Sequence, residues 1–262
     1  MNFDHPPCCV LITGKKGSGK TTYWLQRIQA HRAKWKFIFD PSREVSRKLR
    51  LPICIDVPAL NAAVARGGMI CFDSSPLFPG DRRGGFAFFS RYVFNLSKIL
   101  KGVKVFAADE LQSIQRTGDS GLPQGLKEIT DEGRREEIDC IFAAQRLNEI
   151  NDDVRAQLTE IVTFKHDDPL ALDWLAARGL DPAAIAALPA PGGFIRRTDD
   201  GKITTNRANG HATIDPARKA NRASAATLRS PQSHRRPAPH RSSDGRFSSI
   251  EPSAQAPRAL PG

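Results

Sequence analysis

The chain has 262 residues, 40% of them hydrophobic, enough for one large α/β domain or for one domain with a tail. Its 39 Lys and Arg residues outnumber its 28 Asp and Glu residues, and the net charge of +11 favours a polyanionic partner such as nucleic acid over a merely solvated basic surface. The lack of an apolar run of about 18 residues argues against a membrane span, and five cysteines without a C-x-x-C pair argue against disulfides or zinc and favour the cytoplasm.

The composition changes near residue 209 and divides the chain into two predicted parts. Residues 1–209 alternate apolar runs with helical stretches and predict one folded domain. Residues 210–262 are rich in Ala, Ser, Pro, Arg and His and have Phe247 as their one aromatic side chain, so they predict a disordered tail. Its nine basic and three acidic residues supply six of the eleven net positive charges.

Five short apolar runs in the first part predict buried β-strands, with a weaker sixth run after them. The runs, in chain order, are 8–13, 36–39, 69–72, 103–108, 140–144 and the weaker 161–164. Continuous apolar strands separated by helical stretches predict an α/β fold with a central, mostly parallel sheet flanked by helices. Four of the five strong runs precede a polar residue, and those residues are expected at one edge of the sheet, where open α/β sheets bind ligands.

The first run leads into a glycine-rich segment that matches the G-x-x-x-x-G-K-[ST] pattern of a phosphate-binding loop, or Walker A motif. Glycines let backbone N–H groups turn toward phosphate oxygens, and the start of the helix that follows adds positive potential. Lys20 is predicted to reach the β- and γ-phosphates of ATP, and the Thr21 hydroxyl to bind Mg²⁺. The predicted nucleotide-binding residues are Gly14, Lys15, Lys16, Gly17, Ser18, Gly19, Lys20, Thr21 and Thr22.

The fourth and fifth strong runs end in residues suited to ATP hydrolysis. Asp109 and Glu110 follow the fourth run as in a Walker B motif; Asp109 is predicted to hold Mg²⁺ and Glu110 to polarise the attacking water. An adjacent Asp-Glu pair favours an ATPase, because a small-molecule kinase needs no water-activating base. Gln145 follows the fifth run and is predicted to contact the γ-phosphate or the water. Solvated polar residues at strand ends remain the alternative for all three.

Arginines are predicted in two further roles. Arg134 and Arg135, in a charged stretch after Gly133, are candidates for a transition-state arginine supplied to a neighbouring subunit, in competition with Arg116 and Arg146 or with a plain charged surface. The segment 82–85, Arg-Arg-Gly-Gly, predicts a flexible basic loop suited to the pore of a ring, or simply a solvated loop. DNA phosphates could also be gripped by an early basic cluster: Lys34, Lys36, Arg43, Arg47, Lys48 and Arg50.

The phosphate loop, the Asp-Glu strand and the Gln145 strand together resemble the FtsK/HerA superfamily of RecA-like ATPases. The Asp-Pro pair that ends the second run, the third run, and the segment 133–146 resemble further elements of that superfamily, with Ala144 where Thr is frequent. The resemblance covers about residues 8–208. It implies a homo-oligomeric ring with ATP sites between subunits.

Within that superfamily, the compact build is similar to the genome-packaging ATPases of tailless, membrane-containing viruses and phages. This similarity implies translocation of double-stranded DNA into a preformed capsid, with capsid vertex or portal-like proteins as partners and a location in the host cytoplasm or on the virion. The alternative is a virion-assembly or secretion ATPase of the zonula occludens toxin type that acts on protein. That type normally carries a transmembrane segment, and the sequence shows none.

Overall fold

The computed structural model describes residues 8–114 and 121–207. In these residues, nine strands form one sheet that is flanked by helices. The strands are β1 Cys9–Thr13, β2 Trp35–Phe39, β3 Ile53–Cys54, β4 Gly68–Phe72, β5 Lys104–Ala108, β6 Ile138–Ala144, β7 Glu160–Phe164, β8 Gly193–Thr198 and β9 Ile203–Arg207. The helices are α1 Lys20–Ala30, α2 Glu44–Leu49, α3 Val57–Arg66, α4 Arg82–Ser97, α5 Gln124–Glu132, α6 Asp152–Ala156, α7 Pro169–Ala176 and α8 Pro182–Ala186, with short 3₁₀ turns at Leu111–Ser113 and Leu147–Glu149.

The strand order is β3-β4-β2-β5-β6-β1-β7-β8-β9. Strands β1 to β7 pair with one another in parallel, whereas β8 and β9 add an antiparallel edge beside β7. The predicted α/β fold with a mostly parallel sheet is therefore confirmed, and all six predicted runs form strands. Because Thr13 lies beside Ala144, and Phe39 beside Ala108, the carboxyl ends of the central strands meet at one edge.

Each face of the sheet carries its own hydrophobic core. On one face, Phe86 and Phe89 of α4 pack against Phe39 and Phe106 of the central strands, with ring centroids 5.1 to 6.1 Å apart. On the other face, Trp24 of α1 is fully buried, and its indole N–H donates to the Ile141 carbonyl of β6 at 2.9 Å. Helix α1 is thereby fixed over the middle of the sheet, which sets the position of the loop before it.

The segment 82–85 is not the flexible basic loop that was predicted, because it forms the first turn of α4. Asp81 caps this helix by accepting a hydrogen bond from the Gly84 N–H at 2.7 Å. A Cβ on Gly85 would lie 2.2 Å from the Ser74 hydroxyl oxygen, so glycine here allows the helix to approach the segment after β4. The two glycines therefore serve close packing of a helix start.

None of the helices among the described residues is long and apolar enough to cross a membrane. The predicted tail, its boundary near residue 209, and Arg116 lie outside the described residues.

Candidate active site

The glycine-rich segment forms a tight loop between β1 and α1. Gly14 has φ of 155°, and a Cβ at this position would lie 2.6 Å from the Phe164 Cβ and 2.7 Å from the Ser18 hydroxyl oxygen. Gly19 precedes α1 with φ of 98°, a left-handed conformation that favours glycine. The backbone can follow this path only with glycine at these positions, and it leaves the first N–H groups of α1 without partners in the helix.

The loop is supported from behind by the end of β7 and by the residues before β8. The Lys15 N–H donates to the Lys165 carbonyl, and the Gly192 N–H donates to the Ser18 carbonyl, both at 3.0 Å. The Lys15 ammonium also pairs with Asp167 at 2.8 Å. The sequence motif did not predict these contacts, because two of the three use backbone atoms and carry no residue-type signal.

His166 lies beneath the same loop and is only 2% exposed. Its Nε2 lies 2.9 Å from the Thr13 hydroxyl at the end of β1. Burial lowers the pKa of His166 to about 4, against the opposing effect of Asp168 and Asp167. The imidazole is therefore neutral at pH 7 and acts there as a hydrogen-bonding support for the loop.

Lys20, Thr21 and Asp109 meet at the front of the loop. The Lys20 Nζ lies 3.2 Å from Asp109 Oδ1, and the Thr21 hydroxyl donates to Asp109 Oδ2, also at 3.2 Å. The side chains of Lys20 and Asp109 are 5% and 22% exposed, so the ammonium is held close to a partly buried carboxylate. The structure therefore brings the ends of the two sequence motifs into direct contact.

The donor set at this point suits Mg²⁺. Magnesium prefers oxygen ligands at about 2.0–2.1 Å in octahedral geometry, so two adjacent ligands lie about 3 Å apart. The hydroxyl and carboxylate oxygens of Thr21 and Asp109 have this spacing, at 3.2 Å. Among residues 8–114 and 121–207 there is no cluster of three His, Cys, Asp or Glu side chains that could hold a metal ion. One carboxylate and one hydroxyl fit a metal that takes its remaining ligands from phosphates and water.

Glu110 and Gln145 lie next to this group. Glu110 has a left-handed backbone with φ of 52°, and its N–H donates to Asp109 Oδ1 at 2.8 Å. The Ser113 hydroxyl donates to the Glu110 carbonyl at 2.8 Å and so supports this conformation. The Gln145 amide donates to the Glu110 carboxylate at 3.4 Å, linking the ends of β5 and β6. The structure thus places both predicted side chains beside the phosphate loop.

A cavity of about 300 Å³ opens in front of the loop, a volume at the lower end of the range for small-molecule sites. Pro191, in the segment that supports the loop from behind, forms part of its wall and was not predicted. The other residues that line the cavity belong to the phosphate loop and the start of α1, together with Gln145. The full lining is Lys15, Lys16, Gly17, Gly19, Lys20, Thr21, Thr22, Gln145 and Pro191. Two of the predicted nucleotide-binding residues, Gly14 and Ser18, lie outside this lining.

The other acidic strand ends have structural contacts instead. Asp40 accepts hydrogen bonds from the Val45 and Ser46 N–H groups at 3.2 and 2.8 Å and so caps α2. Asp73 pairs with Arg43 at 2.7 Å, and although burial opposes the change, its hydrogen bonds lower the pKa of this carboxyl. Of the polar residues that follow the predicted strands, Asp109, Glu110 and Gln145 therefore form the site.

Arg134 and Arg135 are exposed at the opposite edge of the sheet. They precede β6, whereas Gln145 follows it, and seven strand residues span about 20 Å. Arg135 pairs with Glu132 at 2.6 Å. Arg146 lies at the site edge, where its exposed side chain pairs with Glu149 at 2.7 Å. The structure does not bring Arg134 or Arg135 to the phosphate loop of this chain.

The early basic cluster is also divided by the fold. Lys36 is buried and donates to the Gln29 carbonyl at 2.8 Å, and Arg43 is engaged by Asp73. Burial lowers the pKa of Lys36. Lys36 therefore does not belong to an exposed surface for phosphate binding, whereas Arg43 pairs with Asp73 through a side chain that is 49% exposed.

Several solved P-loop ATPases of the FtsK/HerA type share this fold. The B204 genome packaging NTPase of Sulfolobus turreted icosahedral virus 2, solved with AMPPCP, is 19% identical with a TM-score of 0.60, and the match covers 78% of this chain and 99% of B204. VirB4 of Thermoanaerobacter pseudethanolicus is 11% identical with a TM-score of 0.59, covering 81% of this chain and 92% of VirB4. EssC of Geobacillus thermodenitrificans (ATPases 2 and 3) is 14% identical with a TM-score of 0.50, and the match covers 82% of this chain and 42% of the EssC chain.

No protein-family model and no curated protein matches the chain. At identities of 11 to 19%, the structural likeness establishes the fold. The chain has the fold of the FtsK/HerA-type P-loop ATPases, which confirms the predicted resemblance at this level.

Proposed function

We propose that this protein is an ATP-hydrolysing motor that translocates double-stranded DNA and packages a phage genome into a preformed capsid. The observation that carries the proposal is the meeting of Lys20, Thr21 and Asp109 at 3.2 Å, with Glu110 and Gln145 beside them. The shared fold with a genome packaging NTPase supports the choice of cargo. The net charge of +11 is consistent with a DNA partner.

The phosphate loop binds the triphosphate of ATP in this proposal. Its backbone N–H groups and the start of α1 hold the phosphate oxygens, and Lys20 neutralises charge on the β- and γ-phosphates. Thr21 and Asp109 would hold Mg²⁺, which neutralises phosphate charge when it is bound. Bound ATP competes with Asp109 for the Lys20 ammonium, so the contact at 3.2 Å is expected to lengthen.

Glu110 then activates water for hydrolysis. The water oxygen bonds to the γ-phosphorus while the bond from that phosphorus to the bridging oxygen of ADP breaks, and Glu110 accepts the water proton. The Gln145 amide, 3.4 Å from the Glu110 carboxylate, holds this carboxylate and can contact the γ-phosphate. The products are ADP and phosphate, and the proton removed from the water is held by the Glu110 carboxylate.

Arg134 and Arg135 serve a neighbouring subunit in this proposal. Both lie at the sheet edge far from their own phosphate loop, so a ring that sets this edge beside the next subunit's site would use them there. Mixing K20A subunits with R134A/R135A subunits tests the arrangement, because each supplies what the other lacks. Recovery of ATPase activity on mixing supports the trans role, and two inactive variants that stay inactive together contradict it.

The nucleotide roles are tested with two variants of buried or half-buried site residues. K20A is expected to abolish ATP binding, and E110Q is expected to bind ATP normally but to hydrolyse it at least about a hundredfold more slowly. Calorimetric titration and phosphate release measure the two steps separately. An equal loss of binding in both variants would contradict the assigned roles.

The cargo is tested by stimulation of ATP hydrolysis. Double-stranded DNA at low salt is expected to stimulate the wild type, and the effect should weaken steeply as salt rises, because phosphate contacts release counterions. Stimulation by a coat protein in place of DNA would instead favour a virion-assembly ATPase. The remaining parts of the proposal are a homo-oligomeric ring, docking to a capsid vertex or portal-like protein, and action in the host cytoplasm or on the virion.

A further inference from the structure

A second cavity adjoins the phosphate-loop cavity and shares Thr21 with it. It has a volume of about 100 Å³, enough for a few water molecules, and lies over the carboxyl ends of β2 and β5. Asp109 and Glu110 form one wall, and Arg82 of α4 contributes to the lining. The cavity therefore borders the Mg²⁺ ligands and the proposed catalytic base.

Most charged groups around this second cavity are engaged elsewhere. Lys48 pairs with Glu44 at 2.5 Å within α2, and Asp40 caps the same helix. Asp109 is held by Lys20 and by the Thr21 hydroxyl. Glu110 accepts one long hydrogen bond, at 3.4 Å, from Gln145. Glu110 and Arg82 are thus the charged side chains of this cavity with most capacity left for a ligand.

The position of Arg82 follows from the packing of α4. Arg82 is one helical turn before Phe86, so the two side chains lie on the same helix face. Phe86 is buried against Phe39 and Phe106 at 5.1 and 5.7 Å, and this contact turns that face toward the strand ends. The Nε of Arg82 is buried and has no hydrogen-bond partner among the described residues.

A guanidinium group without hydrogen-bond partners is costly to bury. Because its Nε is enclosed, a ligand would reach Arg82 through the terminal nitrogens of the guanidinium group. Arg82 lines the second cavity together with Thr21, Asp109 and Glu110, the residues beside which the function proposed above places the γ-phosphate. Phosphate oxygens are strong acceptors, and arginine matches them with a planar fork of donors. We propose that Arg82 is a further catalytic residue, which acts within its own subunit and contacts the γ-phosphate of ATP from the side of Glu110. This inference rests on the ATPase function proposed above.

In this role Arg82 donates hydrogen bonds and makes no covalent bond. It stabilises negative charge on the γ-phosphoryl oxygens as the bond to ADP breaks. It is distinct from a trans-acting arginine, because its place on α4 is fixed by the core of the same subunit. ATP should therefore gain affinity from Arg82, whereas ADP, which lacks the γ-phosphate, should not.

The test compares R82A with R83A, which removes the next arginine of the same helix start. Arg83 lines a different cavity, with Asp81 and Leu122, and donates to the Gly121 carbonyl at 3.4 Å. Without DNA, R82A is expected to lower kcat by about 100- to 1,000-fold. It should also weaken binding of Mg²⁺-AMPPCP by about tenfold while the Kd of Mg²⁺-ADP changes less than twofold. R83A should leave all three quantities within about twofold of the wild type.

Two results would overturn the proposal. One is that R82A keeps the wild-type kcat and the wild-type ratio of AMPPCP affinity to ADP affinity. The other is that R82A loses AMPPCP affinity and ADP affinity equally, which would indicate a structural role for Arg82. If R82A does not fold by circular dichroism, R82Q and R82K carry the same measurements, with R82K recovering part of the AMPPCP affinity. If the wild type hydrolyses no ATP, the proposed function fails, but the affinity ratio still tests Arg82 because binding needs no turnover.

Discussion

Substitution of Glu160 by Gln tests how the phosphate-loop helix is held to the sheet edge. Glu160, at the start of β7, is 5% exposed and accepts hydrogen bonds from two arginines. Arg27 of α1 donates to both carboxylate oxygens at 2.7 and 2.8 Å, and Arg196 of β8 donates to both at 2.7 and 2.9 Å. E160Q keeps the shape of the side chain but removes the charge that both guanidinium groups share.

The expected loss of stability in E160Q is large, although the substitution replaces a single oxygen by an amide nitrogen. Removing one partner of a buried ion pair typically destabilises by about 3–5 kcal/mol, because the remaining charge stays desolvated. The side chains of Arg27 and Arg196 are 23% and 43% exposed, so water can compensate part of the loss, and the lower end of that range applies. For a domain of roughly 200 residues, about 3 kcal/mol lowers Tm by about 6–12 °C.

Thermal unfolding followed by circular dichroism measures this change, with E128Q as the matched control. Glu128 also accepts two hydrogen bonds from an arginine, Arg91, at 3.0 and 3.1 Å, but that arginine is 46% exposed. An exposed pair contributes about 0–1 kcal/mol, so E128Q should lower Tm by less than about 4 °C. Equal losses of Tm in the two variants would refute the reasoning from burial.

The ion pairs of Glu160 with Arg27 and Arg196 also predict how the stability of the protein depends on pH. Burial opposes the change, but the hydrogen bonds from Arg196 and the charge of Arg27 lower the pKa of Glu160. A carboxyl whose pKa is lowered by folding adds stability that is complete above its unfolded pKa of about 4.3 and is lost as pH falls through the folded value. The difference in stability between wild type and E160Q should therefore be constant from pH 6 to 8 and shrink below about pH 4.3.

Three further predictions concern the site. G14A should destabilise by about 1–3 kcal/mol more than G17A in thermal unfolding, because both positions have positive φ but only the Gly14 Cβ would collide, at 2.6 Å from Phe164; equal losses would contradict this. T21A should raise the Mg²⁺ concentration for half-maximal ATPase activity by at least about tenfold, whereas T21S should restore it. Folding lowers the pKa of His166 to about 4, so the free energy of unfolding of the wild type should fall by about 3 kcal/mol more than that of H166Q as the pH drops from 6.5 to 4. Parallel curves of unfolding free energy against pH for the two proteins would contradict this prediction.

Six strands could be predicted because each consists mainly of consecutive apolar residues, which a parallel sheet covered on both faces buries. The other three lacked this signal. Strand β3 has two residues, and β8 and β9 form the antiparallel edge, where Arg196 and Arg197 interrupt the apolar pattern and Ile203 is 46% exposed. The start of α4 was mistaken for a loop because of its glycine pair. The helical spacing of Phe86, Phe89 and Val93, after Asp81 as cap, is the signal that would have corrected it.

The front of the site could be predicted from sequence, and its support could not. Lys20, Thr21, Asp109, Glu110 and Gln145 are set by residue type at fixed spacing after apolar strands, and the structure brings them together. Their individual roles stay predictions. The contacts behind the loop depend on backbone carbonyls and on which strands are neighbours, and a single sequence does not encode strand order in any local pattern.

Helix α1 is joined to the β7–β8 edge at three levels. At its start, the Gly192 N–H holds the Ser18 carbonyl at 3.0 Å. One turn on, the Tyr23 ring packs against Phe164 and Phe194, with centroids 5.6 and 4.7 Å apart. Near its end, Glu160 joins Arg27 to β8.

Because these contacts lie along the whole length of α1, a displacement of β8 would act on that helix at all three levels. We expect such a displacement to shift the phosphate loop relative to Asp109 and Glu110, which follow β5. The contacts of Lys20 and Thr21 with Asp109, both at 3.2 Å, are where such a movement would change the site. In the ring motor proposed above, these contacts would link a subunit edge to its ATP through side chains that the phosphate-loop motif does not include.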